Sequence, residues 1–156
     1  MNGRSLRASI NQQEVGSLQE VAGLWSFQYA ASWLNHPQAF ALSPHLPLSA
    51  EPLLDGASQR PVQWYFDNLL PEEGQRTLLA GDARLDAADA FGLLAWYGAE
   101  SAGSLTLLSP EAAPQATEPL RPLPDEPLQA RILQMPKAPL THAAIKRMSL
   151  AGAQHK

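Results

Sequence analysis

Trp25, Phe27 and Tyr29 occupy alternate positions, with Ser26 and Gln28 between them. Nothing else in the chain restricts its fold as much, because large rings at every second residue share a face only on an extended strand. Aromatic side chains pack well on a pleated surface. The three rings are therefore read as core packing, not as a platform on which bases stack. Two companion strands precede them. From Ser5 to Ile10, Leu6, Ala8 and Ile10 fall on one face and Arg7 and Ser9 on the other. Asn11-Gln12-Gln13 makes a polar turn, and Glu14 to Leu18 returns as a second strand around Gly16. A last strand, Ser104 to Leu108, opens at Gly103 and turns Leu105 and Leu107 inward.

Between the third strand and the last, the period changes. Ala31 to Leu34 is one turn of helix, broken by Asn35-His36-Pro37. The segment Leu42 to Leu48 is apolar but holds two prolines, so it is either an edge strand or an extended stretch laid across the domain. After Pro61, Val62, Tyr65, Phe66, Leu69 and Leu70 form a helical stripe. Asp67 and Asn68 lie off that stripe, to cap the next turn or to face a partner. Pro71-Glu72-Glu73 reads as a new helix start, running through Leu78 and Leu79 to about Gly81-Asp82. Asp86 is the expected N-cap of a third helix, with Phe91, Leu94 and Ala95 buried and Gly98 closing it in a left-handed cap. The fold class is α+β: a small antiparallel β-sheet with about three helices packed against one side.

Six of the fourteen prolines lie between Ser109 and Pro127, among four acidic residues. Such a stretch cannot bury enough apolar surface to offset its ordering entropy, so it reads as a linker. The expected organisation is residues 1–108 as a domain, 109–127 as a Pro-rich linker and 128–156 as a tail, with a short helix over Leu128 to Leu133. The formal net charge of −4 argues against broad nucleic-acid binding, which needs a basic face. With no cysteine there is no disulfide and no thiolate metal site, which fits a cytoplasmic protein. His36 and His45 are not spaced as metal ligands and read as surface or structural histidines. No export signal and no apolar run of membrane-spanning length is found.

The tail ends Met148-Ser-Leu-Ala-Gly-Ala-Gln-His-Lys156. Small residues let backbone approach a ligand, successive N–H groups cradle anionic oxygens, and a lysine adds a point charge for phosphate. The same residues equally describe a frayed chain end, and residue type alone leaves both readings open.

Taken together, several stretches carry a resemblance. They are Val15-Gly16-Ser17-Leu18, Phe27-Gln28-Tyr29 followed by Trp33-Leu34, and Leu42-Ser43 with Leu46-Pro47-Leu48. Phe66-Asp67-Asn68-Leu69-Leu70-Pro71, Phe91-Gly92-Leu93-Leu94, Gly98 and Gly103 to Leu107 follow, and Met148 to Lys156 closes the series. In order and spacing these resemble the N-terminal part of the HipA family of toxin kinases.

The resemblance implies a serine/threonine kinase of a toxin–antitoxin pair, which phosphorylates an aminoacyl-tRNA synthetase to arrest translation. It implies ATP and Mg²⁺ as cofactors of the complete kinase. Its implied partner is a HipB-like helix-turn-helix antitoxin, with DNA reached only through that complex, and no membrane. Ala151, Gly152, Ala153, Gln154, His155 and Lys156 would line the ATP phosphates. Ser149 would be the regulatory autophosphorylation site, whose phosphate would repel the nucleotide's own. The chain departs from the family by stopping at Lys156. Phosphoryl transfer needs a catalytic Asp and metal ligands that in the family lie downstream. No catalytic residue and no metal site is therefore expected in these 156 residues, and no activity or cofactor for the chain alone. The competing expectation is a stand-alone small subunit that binds and inhibits a separate HipA-like kinase as an antitoxin.

Overall fold

The computed structural model of the protein describes residues 3–100, 104–112 and 124–134. Strands β1 (Arg4–Ile10), β2 (Gln13–Val21), β3 (Leu24–Tyr29), β4 (Leu53–Leu54) and β5 (Leu105–Leu108) form one sheet in the order β4-β3-β2-β1-β5. Every neighbouring pair is antiparallel. The two hairpins turn on Asn11-Gln12 (φ 49° and 67°) and Ala22-Gly23 (φ 52° and 78°). Positive φ at both central residues is the hairpin geometry whose twist matches that of the strands it joins.

Register converts the alternation into two unlike faces. Leu6 pairs with Leu18 and Leu18 with Phe27, while Ala8 pairs with Leu107 and Ile10 with Leu105. All of these, with Trp25 and Tyr29, are buried on the inner face. The outer face carries Ser5, Arg7, Ser9, Ser17, Ser26, Gln28 and Thr106, all half-buried. Gly16 sits opposite Tyr29, and a Cβ there would lie 2.2 Å from the Gln28 carbonyl oxygen. Only glycine allows that approach.

Helices α1 (Ala31–Leu34), α2 (Pro61–Asp67), α3 (Glu73–Ala83) and α4 (Ala90–Tyr97) complete the domain. The Phe66 ring of α2 meets Phe27 at 5.4 Å, and Phe91 of α4 meets Trp25 edge-on at 5.1 Å. Val62, Phe66 and Leu70 are buried, with Tyr65 and Leu69 packed at the margin of the core. The α+β reading and its three main helices therefore stand.

Several local expectations do not. The edge strand beside β3 is Leu53–Leu54, which was not anticipated, whereas Leu42 to Leu48 joins no strand of the sheet and is folded by a tight turn, the Leu46 N–H donating to the Ser43 carbonyl at 2.9 Å. Tyr29 holds that segment down, its hydroxyl donating to the Leu46 carbonyl (2.6 Å) and accepting from the Leu42 N–H (2.9 Å). Asp89, not Asp86, caps α4, accepting from the Gly92 N–H at 3.0 Å. Asp86 instead accepts from the Ala88 N–H in the preceding turn. Ala95 is exposed, and Leu93 and Tyr97 take its place in the core. Gly98 is right-handed (φ −66°). It is glycine because a Cβ would stand 2.6 Å from Leu107 Cβ on β5. Pro71 is buried ahead of α3 and is not its first residue, and α3 ends in a left-handed Arg84.

Helix α5 (Asp125–Gln134) belongs to a second compact unit. It starts three residues before the expected Leu128, with Asp125 and Glu126 at the end where the helix dipole favours anions. Pro127 fits there because first-turn N–H groups have no partner within the helix. Leu128, Ile132 and Leu133 are exposed on α5.

Candidate functional site

The residues expected to hold nucleotide, Ala151, Gly152, Ala153, Gln154, His155 and Lys156, lie outside the described residues, as does Ser149. Gly103, expected to open the last strand, also lies outside them; the other stretches of the resemblance are described, and several have a mechanical duty.

Phe66 to Pro71 forms the end of α2 and the bend into α3. Phe66, Leu70 and Pro71 are buried. Asp67 ends a helix, where a carboxylate opposes the dipole. Arg76 of α3 offsets this by donating from Nη2 to Asp67 Oδ1 at 2.8 Å. The same guanidinium donates from Nε to the Ala87 carbonyl at 2.8 Å, so one side chain ties α2 and α3 to the approach to α4. Asp67 thus faces Arg76, and Asn68 is the exposed residue of the stretch.

Sequence reasoning missed a second clamp. Arg4 donates from Nε to Glu20 (2.8 Å) and from Nη1 to both Asp89 oxygens (2.8 and 2.9 Å). Its guanidinium also lies 4.9 Å from the Phe91 ring centre. The hydrogen bond from Arg4 holds the Glu20 carboxyl below the usual carboxylate range. No local signal marks this cluster, since Arg4 and Asp89 are 85 residues apart. A Cβ on Gly92 would stand 2.3 Å from Asp89 Oδ2, so glycine there keeps the cap and the clamp open.

Two further polar groups are structural. Asp55, buried, accepts from the Val62 and Gln63 N–H groups at 2.8 and 3.0 Å, capping α2 from outside the helix. The Tyr97 hydroxyl donates within 3.0 Å of the Leu79 carbonyl and Asp82 Oδ2. Burial, then the Asp82 carboxylate, push its pKa up to about 12. His36 stacks flat on Trp33 at 5.8 Å, and His45 is exposed. Among the described residues no group of three His, Asp or Glu could hold a metal ion.

The sheet order, the turn at Phe66 to Pro71 and the Gly98–Leu107 contact together form a recognisable unit. A sequence model described as the HipA N-terminal domain matches residues 6–108. The chain belongs to the HipA family. That match begins within β1, at Leu6, and runs to the end of β5, so it takes in all five strands but for Arg4 and Ser5, with helices α1 to α4. A Sinorhizobium fredii protein named putative kinase Y4mE is 39% identical over 136 residues, covering 83% of this chain and 31% of that protein. Among solved structures, the HipA of Shewanella oneidensis, determined with HipB and operator DNA, aligns with a TM-score of 0.63 over 94% of this chain and 33% of its own. At 24% identity that likeness shows the fold. The chain spans about a third of each relative. No helix among the described residues is long and apolar enough to cross a membrane.

Proposed function

We propose that the chain is the N-terminal portion of a HipA-like serine/threonine kinase toxin, cytoplasmic and inactive in phosphoryl transfer by itself. One observation carries this reading. The 39% identity to a protein named as a kinase covers 83% of the chain, more than residues 6–108 make up. The similarity thus continues past the domain, in the direction of Ser149 to Lys156. In this proposal residues 1–108 are a scaffold, 109–127 a linker and 128–156 the start of the kinase N-lobe. Ala151 to Lys156 line the ATP phosphates in the complete kinase, where Mg²⁺ comes from ligands elsewhere. Ser149 is the autophosphorylated switch. A HipB-like antitoxin is the partner, through which DNA is reached, and an aminoacyl-tRNA synthetase is the substrate.

The test joins the chain to the catalytic lobe of its S. fredii relative and supplies labelled ATP, Mg²⁺ and a panel of synthetases. Labelling of one synthetase is expected, with a loss of about 100-fold or more in Lys156→Ala, the scale of a positioned phosphate contact. No labelled synthetase refutes the substrate, and an unaffected Lys156→Ala refutes the loop. ATP turnover by the 156-residue chain alone refutes the proposed division of labour.

A further inference from the structure

The outer face of the sheet sets one cation among small polar side chains. Arg7 stands on β1 with Ser5 and Ser9 to either side, opposite Ser17 on β2 and Leu108 on β5. Neither of its β1 neighbours nor Ser17 is large enough to compete with it for space. It is half-buried, and its Nη2 donates to the Ala112 carbonyl at 2.7 Å. That carbonyl belongs to a tight turn. The Ala112 N–H returns to the Ser109 carbonyl at 3.0 Å, closing Ser109-Pro110-Glu111-Ala112. Pro110 is the second residue of this turn, where its fixed φ is already correct. The turn follows β5 directly, so its hydrogen bond to Arg7 falls where the chain leaves the sheet.

We infer that Arg7 is a mooring: it holds the Ser109–Ala112 turn to the domain and so fixes where the chain leaves the sheet. It is a positioning residue, independent of the kinase reading. An arginine suits the role because its planar, multi-donor head reaches a carbonyl while its stem lies along the sheet. Proline supplies a turn that needs only one anchor.

Amide hydrogen exchange on the full 156-residue chain tests this. In Arg7→Ala the Ala112 amide should exchange on the order of tenfold faster, the scale of losing one hydrogen bond to a charged group. The amides of β1 and β2 should keep their rates. Arg7→Lys, which retains a donor but not the fork, should fall between. An unchanged Ala112 rate in Arg7→Ala overturns the inference. So does a rise shared equally by β1 and β2, or failure of Arg7→Ala to fold, either of which would make Arg7 a stabiliser of the sheet.

Discussion

Truncating Phe66 to alanine separates the two roles open to the stretch Phe66 to Pro71, packing and partner contact. The side chain is fully buried, between the ring of Phe27 (5.4 Å) and that of its neighbour Tyr65 (5.0 Å, edge-on). A buried phenylalanine removes roughly 150–250 Å² from water. At about 25 cal/mol per Å² this corresponds to roughly 4–6 kcal/mol, an upper bound because denatured chains already bury some surface. Alanine keeps part of that area but leaves a cavity, and measured Phe→Ala losses of about 3–5 kcal/mol bracket the outcome. With a urea m-value of about 2 kcal/mol/M, the midpoint should fall by about 2 M. Far-UV circular dichroism on the whole chain reads it without relying on tryptophan. Trp64→Ala is the control: it changes the same helix at a side chain 56% exposed, and should stay within about 0.5 kcal/mol. An unmoved midpoint in Phe66→Ala, or equal losses in both variants, would refute the argument that this face of α2 is core.

Two glycines should respond oppositely to alanine. Gly98→Ala drives a methyl into Leu107 and should cost about 1–3 kcal/mol in urea melts, while Gly81→Ala, with nothing within 4 Å on α3, should gain about 0.5–1 kcal/mol. Equal shifts would discard the close-approach account of Gly98. The Arg4 clamp makes a pH prediction. Because the folded Glu20 carboxyl lies below its unfolded value, its contribution is present above the ordinary carboxylate pKa and disappears as pH falls through the lowered one. Urea midpoints between pH 7 and pH 3 should therefore fall less steeply in Glu20→Gln than in the parent. Parallel slopes would show that Arg4 does not select the charged form.

The parts of the fold legible in the sequence are those written in nearest-neighbour periodicity. Trp25, Phe27 and Tyr29 announce their strand because each ring must share a face with the next but one. Val62, Tyr65 and Phe66 announce a helix for the same reason at a longer period, although α2 ends at Asp67 and leaves Leu69 and Leu70 of that stripe in the turn beyond it. The misreadings occur where a distant residue decides. Asp86 and Asp89 are equivalent N-caps locally, and Arg4, 85 residues upstream of Asp89, holds the one that caps α4. Gly98 was expected to supply a left-handed turn but instead makes room for Leu107. Strand β4 is two residues long, too short for any alternation to show. Asp55 caps α2 from six residues before Pro61, a spacing no local capping rule contains. The terminal loop was legible only as a resemblance, since Gly152 and Lys156 are not a pattern by themselves.

These contacts also explain how a short stretch can be diagnostic of a family without touching a ligand. In Phe66-Asp67-Asn68-Leu69-Leu70-Pro71, a ring fills the core, a carboxylate anchors Arg76, and Leu70 and Pro71 are buried at the bend into α3. Each of those four positions tolerates few substitutes, because volume, charge or backbone freedom is fixed by a partner elsewhere in the fold. Asn68 differs: it is exposed at the end of α2, its backbone N–H donating to the Trp64 carbonyl at 3.2 Å. The two requirements that sequence alone could not separate, shape and recognition, are thus divided within six residues. Shape accounts for Phe66, Asp67, Leu69, Leu70 and Pro71, and Asn68 is the exposed residue of the stretch, with Trp64 exposed one turn earlier on α2.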